Sequence, residues 1–177
     1  MWVGLPKRNT QKTIDVVILW LETMPAHHSW PYVWENVLKR KEDRVLTKNV
    51  KIKLLQIGKG WVKGTLRNRP ENSSLSYVYD RILNFDRFGE DRSDLIELIS
   101  DWLKENQDSK SWPWLWISTF EAYAKNTSGQ VNMDAFVQDG FAWIMNYPVA
   151  QNPWYRIFEK VAKYYQTSSP GRAISFR

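Results

Sequence analysis

The sequence predicts an all-α protein, a right-handed α-solenoid of four helical hairpins of about 41 residues each. Three observations predict it. Trp20-Leu21, Trp61-Val62, Trp102-Leu103 and Trp143-Ile144 recur at equal intervals of 41 residues, and a fixed period of that size is the mark of a repeat array. Before each tryptophan, apolar or small residues stand at helical spacing (Ile14 and Val17, Leu55 and Gly58, Ile96 and Ile99, Val137 and Gly140), the stripe of an amphipathic helix. A second apolar block follows in each copy, led by Trp30, Leu75, Trp112 and Trp154. One hairpin cannot bury both of its stripes alone, and stacking copies does so.

The elements follow in order. The first helix of each copy is expected at about 11–23, 47–66, 92–106 and 133–146, and the second at about 30–42, 74–87, 112–125 and 153–166. Ser29, Ser111 and Asn152 precede the second helices as candidate N-caps. Pro31, Pro113 and Pro153 stand in first turns, where a missing N–H does no harm. Asn132 is a candidate cap for the helix after it, Asn126 to Val131 reads as a turn, and Pro148 ends the region beyond. Gly58, Gly60 and Gly64 each weaken the third helix by ~1 kcal/mol against Ala. Gly58 aligns with Val17 and Ile99, so a close neighbour is expected there. Thr119 interrupts an apolar stripe, and Val50 to Lys53 alternates as a short strand would. Trp2, Val3 and Leu5 lie in a lead-in that packs on the first hairpin or belongs to an earlier repeat.

A chain of 177 residues with 43% hydrophobic and 25% charged residues is globular and of single-domain size. The expected copies are 11–46, 47–91, 92–131 and 132–166, with 167–177 a flexible tail rich in Ser, Pro and Gly. Nine of the eleven tryptophans fall on the repeat, so packing is their first explanation. The absence of cysteine excludes disulfides and thiol chemistry and suits a reducing cytoplasm. No run reaches the ~18 apolar residues of a membrane span. Lys7, Arg8 and Lys12 precede an apolar segment, but Asp15 interrupts it, so a signal peptide is not expected.

Charge is uneven. Lys39 to Arg69 holds eleven basic residues against Glu42 and Asp43, in a chain of net charge +6. Lys39, Arg40, Lys41 and Arg44 gather where the second helix should end, and cations suit that negative terminus. Lys59, Lys63 and Arg67 recur at i, i+4 and i+8 on one helical face. These seven are the candidate partner-binding residues. Their plain alternative is a solvated face opposite the acidic run of Asp86, Glu90, Asp91, Asp94, Glu97 and Asp101.

Catalytic and cofactor motifs are lacking. Gly58-Lys59-Gly60-Trp61-Val62-Lys63-Gly64-Thr65 has the wrong order for a phosphate loop, because Lys63 precedes Gly64. His27 and His28 are adjacent in a turn without a ligand set around them, so no metal is expected. No enzyme is indicated.

Trp20-Leu21, the polar gap, Trp30-Pro31-Tyr32-Val33-Trp34 and then Val37-Leu38 resemble the degenerate "WL … YV … LL" repeats found C-terminal to bacterial STAND/NACHT-type ATPases. The wider resemblance is to tetratricopeptide-like and HEAT-like arrays. It implies a non-catalytic sensor or scaffold arm that binds a protein or peptide in bacterial signalling or defence. The alternative is nucleic-acid binding through the basic segment 39–69, which the salt dependence of binding would reveal. A third reading is a structural subunit that assembles through open repeat ends.

Overall fold

In the computed structural model, residues 10–85, 91–125, 133–147 and 152–168 are described. They contain eight helices: α1 (Gln11–Thr23), α2 (Trp30–Leu38), α3 (Lys48–Asn68), α4 (Leu75–Asn84), α5 (Ser93–Glu105), α6 (Trp112–Lys125), α7 (Met133–Asn146) and α8 (Asn152–Ser168). Among the described residues there is no strand; Val50 to Lys53 is helical, the opening of α3. The lead-in with Trp2, Val3 and Leu5, Asp86 and Glu90, the turn at 126–131, Asn132, Pro148 and the tail beyond Ser168 lie outside the described residues. Thr167 and Ser168, expected in the tail, belong to α8.

The chain divides into two compact units, Met1–Asp91 and Arg92–Arg177. In the first, α1 packs on α2 and α3 on α4, while α3 also meets α1 and α2, and α2 meets α4. In the second, α5 packs on α6 and α7 on α8, and α6 also meets α7 and α8.

The units repeat each other's internal bonds at an offset of 82 residues. Trp30 Nε1 donates to Leu21 O and Trp112 Nε1 to Leu103 O, both at 2.8 Å. Leu21 and Leu103 lie in the last turns of α1 and α5, where carbonyls have no intrahelical partner. The indoles therefore cap the C-terminal ends of these helices. Trp34 Nε1 donates to Leu54 O at 2.7 Å, and Trp116 Nε1 to Phe136 O at 3.2 Å. These carbonyls lie inside α3 and α7 and use their second lone pair. Gly58 and Gly140 stand one turn further on, where a side chain would cover the carbonyl. A Cβ on Gly58 would lie 2.7 Å from Trp34 Cζ2, and one on Gly140 would lie nearer still to Trp116 Cζ2. The expected close neighbour of Gly58 is thus an indole face.

Trp30, Trp34, Trp112 and Trp116 are fully buried; each is worth roughly 4–6 kcal/mol in gross transfer free energy. Trp61 stacks on Trp30 at 4.8 Å and Trp143 on Trp112 at 5.5 Å. Thr119 is buried without harm because its hydroxyl donates to Leu115 O at 2.8 Å.

Three local expectations need correction. Trp20 and Trp102 are only half-buried, unlike Trp61 and Trp143, because no indole stacks on Trp20 or Trp102 among the described residues. Ser29 does not cap α2 through its side chain. The turn-maker lies two residues earlier: His27 Nδ1, Asn72 Oδ1 and Ser109 Oγ accept from the amides of Ser29, Ser74 and Ser111. Third, α2 stops at Leu38 instead of running to Glu42. The Asp43 carboxylate accepts from the amides of Val45 and Leu46, both at 2.8 Å, and Leu46 is fully buried. That turn draws the chain off the helix axis. Similarly, α4 ends at Asn84, short of the expected Arg87.

Candidate binding surface

The basic segment is spread over several structural roles. Lys39 is the C-cap of α2 and pairs with Glu35 one turn back. Arg40 is half-buried, while Lys41 and Arg44 are exposed in the loop after α2. The Arg40 carbonyl accepts from the ammonium of Lys51, a fully buried lysine of α3. A buried ammonium needs such an acceptor, and the end of α2 supplies one of favourable sign. Lys63 and Arg67 are exposed on α3, one turn apart.

Lys59 departs most from expectation. Spacing places it on one face with Lys63 and Arg67, but it is 8% exposed and its ammonium donates to the carbonyl of Asp91, a residue of the acidic run. Its stripe position, one residue from Gly58, turns it toward the packed side of α3. Of the carboxylates expected opposite, Asp101 pairs with Lys104 in its own helix at 2.8 Å. Of the three cations that spacing puts on one face of α3, Lys59 is buried while Lys63 and Arg67 are exposed.

Glu35 is a second polar centre. Its carboxylate receives Lys39, the Tyr77 hydroxyl and, at 2.9 Å, Arg81 Nε. The Arg81 approach is a charge contact that is off-axis for a hydrogen bond. Burial opposes ionisation of Glu35, but the bonds from Lys39 and Tyr77 prevail and its pKa lies below the ordinary value. Burial and the bond to Glu35 raise that of Tyr77. Arg81 also lies over the Tyr77 ring, 5.2 Å from its centroid. These side chains bind one another and tie α2 to α4.

The first unit also carries an open cleft of about 370 Å³ between the end of α1 and α3, walled by Leu21, Pro25, Ile57 and Trp61 and floored by Gly60 and Gly64. Both glycines are exposed, and a Cβ on either would meet nothing within 4 Å. Glu22 and Arg69 stand at its rim. Glu22 pairs with Lys53 at 3.2 Å, and Arg69 donates to Pro25 O at 3.1 Å. Trp61 Nε1 also donates to Pro25 O, at 2.8 Å.

At the corresponding place in the second unit, Thr65 is replaced by Tyr147. Its ring stacks on Trp143 at 4.9 Å and its hydroxyl donates to Asp108. The bond to Asp108 raises the Tyr147 pKa. Thus one unit keeps an aromatic ring beside its ladder tryptophan, and the other has a cleft beside its own. Sequence spacing did not reveal the cleft; the signal available was the pair Gly60 and Gly64 against Ala142 and Asn146.

Among the described residues, no group of three or more His, Asp or Glu side chains is arranged to hold a metal. No described helix is long and apolar enough to cross a membrane. No family model, curated protein or solved structure matches the chain.

Proposed function

We propose that this chain is a non-catalytic helical-repeat module, four hairpins of the α-solenoid kind, that binds a protein or peptide. The cleft beside Trp61 receives an apolar or aromatic side chain of the partner. The observation that carries this reading is the Tyr147 ring on Trp143, set against the open floor of Gly60 and Gly64 beside Trp61. A chain that stacks a ring against one ladder tryptophan offers the same chemistry to a guest at the other. The rim charges Glu22 and Arg69 would orient the guest's backbone or a flanking charge. The resemblance to repeats C-terminal to STAND/NACHT-type ATPases supports a sensor or scaffold arm in a bacterial signalling or defence system.

The test is selection from a random peptide display library on the intact chain, repeated on Gly64→Leu, which fills the cleft from its floor. Selected peptides are expected to carry an aromatic residue and to lose at least tenfold in affinity on Gly64→Leu. Equal binding to the filled variant would overturn the cleft. A labelled 20-mer oligonucleotide, measured at low and moderate salt, addresses the polyanion alternative. Tight binding that collapses with salt and with Lys63→Glu/Arg67→Glu would replace the peptide reading. Lys59 is left out of that reversal, because a carboxylate placed there would be buried against a carbonyl.

A further inference from the structure

Besides Trp102, which also lacks a stacked indole among the described residues, the ladder has two open positions that complement each other, Trp20 and Trp154. In the first unit the indole that opens α2, Trp30, is anchored to Leu21 O and covered by Trp61 of the next helix; it is fully buried. In the second unit Trp112 is anchored to Leu103 O, covered by Trp143 and fully buried. Trp154 opens α8 in the same manner. Its Nε1 donates to Ile144 O at 3.0 Å, and Phe158 stacks on it at 5.3 Å as Trp34 does on Trp30 at 6.0 Å. Yet Trp154 is only half-buried, and no covering indole stands on it among the described residues. The residue after it shows the same lack: Pro31 and Pro113 are buried, whereas Tyr155 is 67% exposed.

The converse holds at α1. Trp20 occupies the ladder position of Trp61 and Trp143, but among the described residues the ring upon it is His27, edge-on at 5.2 Å. Around it Val16 and Leu19 are each 59% exposed and Met24 is 45% exposed. So α1 is apolar on two sides: Ile14, Val17 and Leu21 face the core, while Val16, Leu19 and Trp20 form a second stripe at helical spacing. Charge does not oppose the match. Glu22 is paired with Lys53 and Lys160 with Glu121; of the rest, Lys12 and Asp15 balance on α1, and Arg156 and Lys163 outnumber Glu159 on α8.

We propose that a second copy of this chain covers each open position, the α1 face of one molecule docking on the start of α8 of another, with Trp20 stacked on Trp154. The contact repeats the Trp30–Trp61 and Trp112–Trp143 stacks between molecules. It is heterologous, since the two surfaces differ, and it therefore grows head to tail. It is independent of the cleft, which lies beside Trp61, and of any peptide bound there.

A mixing experiment tests it. Sedimentation velocity on the native chain is expected to show mass rising with concentration past the dimer. Leu19→Glu blocks the α1 face and Tyr155→Glu blocks the α8 face. Both sites are well exposed, and circular dichroism checks that the helices persist; Val16→Glu replaces the first variant if it misfolds. Each variant alone is expected to stay monomeric, and the equimolar mixture to stop at a dimer, because only one competent pair of faces remains. A native chain still monomeric at about 1 mM, the weak limit of specific association, would overturn the proposal. So would either variant dimerising alone, which would mean a symmetric contact, or a mixture that stays monomeric.

Discussion

Substituting the glycines of α3 and α7 by alanine separates close packing from helix propensity with one chemical change. On propensity alone, each Gly→Ala stabilises a helix interior by ~1 kcal/mol. At Gly60 and Gly64 nothing opposes this, because the new methyl meets no atom within 4 Å. At Gly58 it would lie 2.7 Å from Trp34 Cζ2, short of an ordinary carbon contact by roughly 1 Å. The ring cannot swing away without loss: Trp34 is fully buried, stacked on Trp30 at 6.0 Å and bonded to Leu54 O. Overpacking of this kind costs about 1–3 kcal/mol, and loss of the indole bond adds ~1 kcal/mol. Net of propensity, Gly58→Ala is expected to destabilise by roughly 1–3 kcal/mol. Gly140→Ala, with the tighter approach to Trp116, should cost at least as much. Gly60→Ala and Gly64→Ala should each stabilise by about 1 kcal/mol, or roughly 2–4 °C in Tm. Urea unfolding of the four variants reads the signs directly. If Gly58→Ala were as stabilising as Gly60→Ala, the indole would not depend on the missing Cβ, and the explanation of both glycines would fail.

The remaining predictions concern burial and charge. Trp61→Ala and Trp143→Ala should destabilise by about 3–5 kcal/mol in denaturant unfolding, and the half-buried Trp20 and Trp102 by roughly half of that; equal losses at all four would contradict the difference in burial. Because the Glu35 pKa is lowered in the folded chain, its contribution is present above the ordinary value and is lost as pH falls through the folded one. Below pH ~4.5 the thermal midpoint should therefore drop more steeply in the native chain than in Glu35→Gln. Asp139 is shifted the other way, raised by burial against the partial relief of Lys104. Its charged form penalises the fold once pH rises past the raised value, so Asp139→Asn should raise Tm at pH 7 and lose that advantage at pH 3.

Helix positions were legible in the sequence because each copy carries two apolar stripes, the first of them at a fixed interval of 41 residues. The bounds of α1, α6 and α7 fall where periodicity put them. The ends of α2 and α4 were not legible, because the Asp43 turn and the burial of Leu46 act across residues whose own propensities permit further helix. The period of 41 was plain in the tryptophans, yet the indole bonds into α3 and α7 recur at 82, while the helix-end bond of Trp30 and Trp112 recurs also at Trp154. A spacing shows that residues are equivalent along the chain; it does not show which copy supplies the indole and which the carbonyl. For the same reason Lys59 read as a surface cation and proved buried, since i, i+4 spacing defines a helical face but not what lies against it. The sequence by itself determined the helical class and the repeated apolar faces, through local periodicity. Which tryptophans are buried, why Gly58 and Gly140 must lack a side chain, and where a cleft remains were decided only by the packing of helices far apart in the chain.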